Sequence, residues 1–208
     1  MARDGGTTFE KQVLEASERL SGIAERTPLQ RNPRLSGATG TRVWFKREDL
    51  QVGRSYKLRG AYNLISQLDD DARTAGVVCA SAGNHAQGFA FACAAHRVRG
   101  RVVIPSTTPR QKRERIVALG GDMIDLVVDG DTYDESSAAA TRWSEETGAT
   151  LVPAFDDPRT VAVRDVRAPS MGWRVLSPAG RRSGPSQCWA SVMPQGCRSP
   201  CLRLHRRA

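Results

Sequence analysis

Hydrophobic and polar positions follow two different rhythms along the 208 residues of this chain. In the first 70 residues the spacing is helical, with breaks. Val13, Leu14, Leu20 and Ile23 recur among charged side chains and predict an amphipathic helix over 9–26, ended at Thr27-Pro28 because proline cannot continue a helix. Residues 35–41, rich in glycine and serine, read as a turn, and 42–46 as a strand. Leu58, Ala61, Tyr62 and Ile65 then mark one face of a helix over 58–68, closed by Asp69-Asp70-Asp71. From residue 77 short apolar runs alternate with longer helical stretches: strands over 77–80, 101–104, 122–127 and 150–152, helices over 84–96, 109–119 and 133–147. Pro109 stands at the start of its helix and Gly120-Gly121 at its end, each where helix termini favour it.

Strand–helix repeats of this length predict an α/β fold with a parallel sheet and crossover helices. Ligands of such sheets bind beyond the carboxyl ends of the strands, so the turn after 77–80 is where chemistry is expected.

Charge changes this picture less than its size suggests. The formal net charge is +9, from 31 basic and 22 acidic side chains. Nine arginines and a single acid, Asp165, fall within residues 163–208, while the other 162 residues hold 22 basic and 21 acidic side chains. The basic stretch lacks interleaved aromatics or any known module, so no specific nucleic-acid partner is expected. No apolar run approaches a membrane span, and the polar start Met1-Ala2-Arg3-Asp4-Gly5-Gly6 is no secretory signal, so neither a membrane partner nor export is expected. Five cysteines without framework spacing fit a reducing cytoplasm. Cys188, Cys197, Cys201 and His205 sit close in sequence, but Pro200 interrupts the helix their spacing would need, and no metal is expected.

Two stretches carry candidate chemistry. Lys57 stands where an apolar helix face begins, after the loop that follows Phe45-Lys46-Arg47-Glu48-Asp49-Leu50. A helix N-terminus disfavours an ammonium, which predicts a lysine pKa drawn toward the free amine, the form that attacks a carbonyl cofactor. Read alone, the segment fits an exposed surface lysine as well. The second stretch, Ala80-Ser81-Ala82-Gly83-Asn84-His85-Ala86-Gln87-Gly88, places small residues at a strand-to-helix turn, leaving backbone N–H groups open to an anion such as a carboxylate.

Four blocks in order resemble the fold-type II pyridoxal-phosphate enzymes, in their threonine/serine dehydratase (threonine ammonia-lyase) branch. They are Lys46-Arg47-Glu48-Asp49-Leu50-Gln51, Ser55-Tyr56-Lys57-Leu58-Arg59-Gly60-Ala61, Ser81-Ala82-Gly83-Asn84-His85-Ala86-Gln87-Gly88 and Phe155-Asp156-Asp157-Pro158. The resemblance runs from about residue 9 to 162 and covers the N-terminal half of such an enzyme. It implies a tryptophan synthase beta-like architecture, truncated: 1–54 as the N-terminal part of the large cofactor domain, 55–162 as a small α/β domain carrying Lys57 and the Asn84 turn, and 163–208 as a basic, irregular tail outside the family.

The same resemblance implies pyridoxal 5′-phosphate as cofactor and Lys57 as the lysine that forms a Schiff base with it. Asn84 matches the asparagine that hydrogen-bonds the phenolic oxygen, and Ser81, Ala82, Gly83 and His85 match the loop that holds the substrate carboxylate. For His85 a packing or capping role fits equally well. Tyr56 replaces the more usual phenylalanine and still supplies an aromatic wall. Ala82 stands where racemases of the family carry a serine, which implies elimination. The implied reaction converts L-threonine or L-serine to a 2-oxo acid and ammonia, as in isoleucine biosynthesis, in an enzyme that forms homo-oligomers.

The chain also departs from the pattern. After the Phe155–Pro158 block the family continues into a glycine-containing turn, and later into a glycine-rich loop that cradles the cofactor phosphate. Here Val161-Ala162-Val163-Arg164-Asp165 follows, and the residues beyond are rich in Arg, Pro, Gly and Ser with no lysine, the yield of a GC-rich frame read out of phase. The alternative expectation is therefore a catalytically inactive, truncated or frameshifted fragment, at most an interaction module.

Overall fold

The structure is a computed structural model that describes residues 8–165, with side chains from 9 to 163. The expected irregularity of the tail, and its Cys188, Cys197, Cys201 and His205, lie outside the described residues. The described chain divides into two units, one of residues 8–26 and 48–165, the other of Thr27–Arg47.

The first helix, α1 (Thr8–Arg19), is shorter than the pattern predicts; turns continue it to Gly22, whose φ of 75° ends the helical path. In the smaller unit β1 (Leu29–Arg31) pairs antiparallel with β2 (Trp44–Lys46), Leu29 opposite Lys46 and Arg31 opposite Trp44. Between them lies α2 (Pro33–Thr39), where a turn was expected. Ser36 and Gly37 suggested the turn, but the punctuation of a helix is complete. The Asn32 side chain accepts from Leu35 N at 2.9 Å, Pro33 fills the first helical position, and Gly40 closes the helix with φ 66°.

In the larger unit a short 3₁₀ turn (Glu48–Leu50) leads through a loop to α3 (Lys57–Ile65). The acidic run that was expected to close this helix instead opens the next: Asp69 accepts from Ala72 N at 2.8 Å and caps α4 (Asp70–Ala75). The alternation then follows as β3 (Val77–Ala80), α5 (Asn84–His96), β4 (Gly100–Ile104), α6 (Arg110–Gly120), β5 (Ile124–Val128), α7 (Tyr133–Thr147), β6 (Thr150–Leu151) and α8 (Pro158–Asp165). The four strands form one parallel sheet in the order β5-β4-β3-β6, with Val77 beside Gly100 and Thr150, and Gly100 beside Ile124. The α/β expectation is met.

Both faces of the two central strands are covered, which explains the apolar runs Val77-Val78-Cys79 and Val102-Val103-Ile104 within them. Val77, Cys79, Val102 and Ile104 face one helical layer, packing with Leu64 and Ile65 of α3, Phe89 of α5 and Ile116 of α6. Val78 and Val103 point the opposite way, onto Ala139, Ala140 and Trp143 of α7. Two glycines set how closely α3 is gripped. A Cβ on Gly88 of α5 would lie 2.7 Å from Leu58 N and 2.8 Å from the Lys57 carbonyl carbon, so only glycine lets α5 press against the first turn of α3. A Cβ on Gly60 would lie 2.8 Å from Thr160 Cγ2, on α8.

Candidate active site

Lys57 is the first residue of α3, at the helix N-terminus as expected, but it is not exposed: 9% of the residue meets solvent. The turn that carries it is tied down by a buried network. Arg59 donates through Nε to Glu48 Oε2 at 2.8 Å and through Nη2 to Glu48 Oε1 at 3.1 Å, with both side chains under a tenth exposed. Arg59 Nη2 also donates to the Glu25 carbonyl at 2.9 Å. Gln51 exchanges two hydrogen bonds with the Glu25 backbone, at 2.8 and 3.0 Å. A two-pronged, fully bonded pair of this kind keeps its charges satisfied away from water, and removing one partner would strand the other. It fixes both ends of the loop before Lys57.

The Lys57 ε-amino group donates to the Ala154 carbonyl at 2.7 Å and lies 3.3 Å from the centroid of the Phe155 ring; the Tyr56 ring is 5.4 Å away. A carbonyl oxygen and a π face are partners for an ammonium, and they work against the helix N-terminus that was expected to favour the free amine.

The turn from β3 to α5 brings the second set of expected residues to the same end of the sheet. Ser81 N donates to Val103 O at 3.2 Å, and Gly83 N donates to Ser81 Oγ at 3.2 Å, so the serine hydroxyl folds back on its own turn. The helical ladder of α5 begins with Gln87 N donating to Gly83 O. The N–H groups of Asn84, His85 and Ala86 therefore have no acceptor within the helix. Ser81, Ala82, Gly83 and Asn84 are half-buried.

His85 is buried, and its Nε2–H donates to Val152 O at 2.9 Å, which leaves Nδ1 as a buried acceptor with no protein partner. Burial drives the His85 pKa down to about 4; the Val152 carbonyl opposes that shift, and the Lys57 charge adds to it. The ring is neutral at ordinary pH. Ser55 Oγ, two residues before Lys57, is a second buried polar atom without a protein partner.

Residues 152–155 are the component that the sequence pattern missed. Val152 binds His85, Ala154 binds Lys57 and Phe155 covers the amine. The Phe155-Asp156-Asp157-Pro158 block was visible as a motif but gave no sign of which residue it serves, since the contact with Lys57 spans 97 positions.

A buried lysine beside an open helix N-terminus is compatible with a carbonyl cofactor, and comparison with known proteins decides the family. Residues 20–168 match the family described as "Pyridoxal-phosphate dependent enzyme". The chain belongs to the pyridoxal-phosphate-dependent enzymes. Within that family it is 60% identical over 150 residues to "L-threonine dehydratase biosynthetic IlvA" of Mycobacterium bovis, covering 72% of this chain and 35% of the relative. It is 45% identical over 152 residues to the protein of the same name in Bacillus subtilis, covering 73% and 36%. Among solved structures, the processed form of threonine deaminase isoform 2 from Solanum lycopersicum superposes with a TM-score of 0.68 at 36% identity, over 78% of this chain and 45% of that one. Maize serine racemase gives 0.69 at 29% identity, over 76% and 47%. The chain thus spans about a third of the length of these curated relatives. Its architecture is that of the N-terminal part of a fold-type II enzyme.

The residues present fit the carbonyl end of pyridoxal phosphate. Lys57 would supply the amine, Asn84 an uncharged amide and α5 its N–H groups, while His85 Nδ1 and Ser55 Oγ are buried polar atoms without a protein partner. Among the described residues no helix is long and apolar enough to cross a membrane.

Proposed function

We propose that this chain carries the amine-bearing half of a threonine/serine dehydratase site, with Lys57 as the Schiff-base lysine and an L-threonine or L-serine substrate that yields a 2-oxo acid and ammonia. The observation that carries the reading is the burial of Lys57 in the first turn of α3, pressed against α5 at Gly88, in a member of this enzyme family. Pyridoxal phosphate, when bound, supplies an electron sink for a carbanion at the substrate Cα. Lys57 is positioned to take the Cα proton as a free amine. Asn84 offers an N–H to the phenolic oxygen without adding charge. The substrate carboxylate meets the N–H groups at the start of α5, where the helix dipole favours an anion. With its ring engaged on Val152, His85 serves there through its backbone N–H, beside Ser81, Ala82 and Gly83. Ala82 brings no acid to the opposite face, which favours elimination over racemisation. In the same reading, residues 55–162 are the small domain and 1–54 the beginning of the large one.

The test is direct, because the chain has only four lysines: Lys11, Lys46, Lys57 and Lys112. Incubation with pyridoxal phosphate, reduction with borohydride and peptide mapping should place the adduct on Lys57, and Lys57→Ala should abolish it. Release of 2-oxo acid and ammonia from L-threonine then reports turnover. A second reading is an inactive fragment serving at most as an interaction module. Trapping at Lys57 without turnover supports that reading, and labelling scattered over all four lysines removes the site altogether.

A further inference from the structure

One short segment supplies two contacts to the Lys57 amine: the Ala154 carbonyl at 2.7 Å and the face of Phe155 at 3.3 Å from its centroid. The segment is anchored at both ends. On one side Val152 N donates to Val78 O at 2.8 Å and Val152 O accepts from His85. On the other, Asp157 accepts from Arg159 N at 2.8 Å and starts α8. Phe155 itself is 40% exposed and stands outside the hydrophobic clusters, while the Lys57 residue against its ring is buried.

We infer that Phe155 is a further positioning residue of the site: with Ala154 O it forms the resting place of the Lys57 ammonium, and its ring is the gate that a carbonyl compound must displace to reach the amine. The inference rests on the reading of Lys57 as the carbonyl-reactive amine. Imine formation requires the ammonium to give one proton to water. The nitrogen then bonds to the carbonyl carbon, and the carbonyl oxygen leaves as water. Every contact that prefers the ammonium over the neutral amine holds that first step back. The same contacts give the ammonium a defined position whenever Lys57 has taken up a proton and is not covalently engaged. This assigns a role to the phenylalanine of the fourth sequence block; the neighbouring Tyr56 ring, at 5.4 Å, is also within reach of the ammonium but makes the longer of the two ring contacts.

The experiment uses the full chain, pyridoxal phosphate as probe and borohydride as reductant, and follows the rate of adduct formation at each lysine by mass spectrometry. In Phe155→Leu the Lys57 rate should rise about three- to tenfold, the range expected for losing one partly desolvated cation–π contact. The rates at Lys11, Lys46 and Lys112 should stay unchanged, and the pH of half-maximal Lys57 rate should move downward. Phe155→Tyr, which keeps the ring, should restore the wild-type rate and pH profile. A Lys57 rate in Phe155→Leu equal to or below wild type, with wild type trapped at Lys57, overturns the gate and leaves the proposed function standing. A rise shared by all four lysines also overturns it, as general loosening. Absence of a Lys57 adduct in every version overturns the reading of Lys57 and the gate with it.

Discussion

His85 shows how one buried side chain can tie stability to pH. Its folded pKa of about 4 is set first by burial, with the Lys57 charge pushing the same way and the Val152 carbonyl pushing back. In the unfolded chain the imidazole returns to about 6.5. Between those values the unfolded state binds a proton that the folded state refuses. Stability is therefore complete above about pH 6.5 and lost as the pH falls toward 4, by about 3 kcal/mol from this group. His96 is displaced in the same direction by burial and the Arg73 charge. Asp157, held below the usual carboxylate range chiefly by its hydrogen bond from Arg159, acts in a lower window: its contribution is present above the ordinary carboxylate pKa and fades in stronger acid. Thermal melts across pH should show the midpoint dropping between 6.5 and 4, and His85→Gln should flatten the larger part of that slope. An unchanged slope in the variant would move the effect away from His85.

At the scale of elements, the contact between α3 and α5 governs the site, and Gly88 governs the contact. Alanine in place of glycine inside a helix ordinarily gains up to about 1 kcal/mol. Here its Cβ would meet backbone atoms of Lys57 and Leu58 at 2.7–2.8 Å, and backbone cannot swing aside as a side chain can. The overpacking cost of about 1–3 kcal/mol should win. Gly88→Ala is expected to lower the denaturant midpoint and to slow adduct formation at Lys57, since the first turn of α3 must move to make room. Equal stability with unchanged Lys57 labelling would show that the two helices separate without consequence.

Elements with paired stop signals were legible in the sequence. The helices Asn84–His96 and Tyr133–Thr147 begin and end where the pattern put them, the second because Thr132 and Glu135 form a reciprocal cap and Gly148 closes it with φ 74°. The helices Pro33–Thr39 and Asp70–Ala75 escaped because Ser36, Gly37 and the run Asp69–Asp71 have two meanings, turn or helix cap, and only the hydrogen bonds to Leu35 N and Ala72 N choose between them. Lys57 and the Asn84 turn announce themselves locally, by residue type at a helix start. The roles of Ala154 and Phe155 do not, because a carbonyl and an exposed ring acquire meaning only from what lies across the fold.

Taken whole, the described chain contains two grades of β-structure. β4 lies inside a four-stranded parallel sheet with both faces covered, whereas β1 and β2 make a two-stranded antiparallel pair whose residues are all at least partly exposed. Two strands alone are marginal in water. Hydrogen exchange should find the amides of Gly100–Ile104 protected far longer than those of Trp44–Lys46. Equal protection in the two would contradict this ranking. The strap across Lys57 carries a different consequence, one of timing. Lys57 and Ala154 are 97 residues apart. A ribosome adding about 5–20 residues per second needs roughly 5–20 s to travel between them. Throughout that interval the nascent lysine exists without the carbonyl that will receive it and without the Phe155 ring that will lie against it.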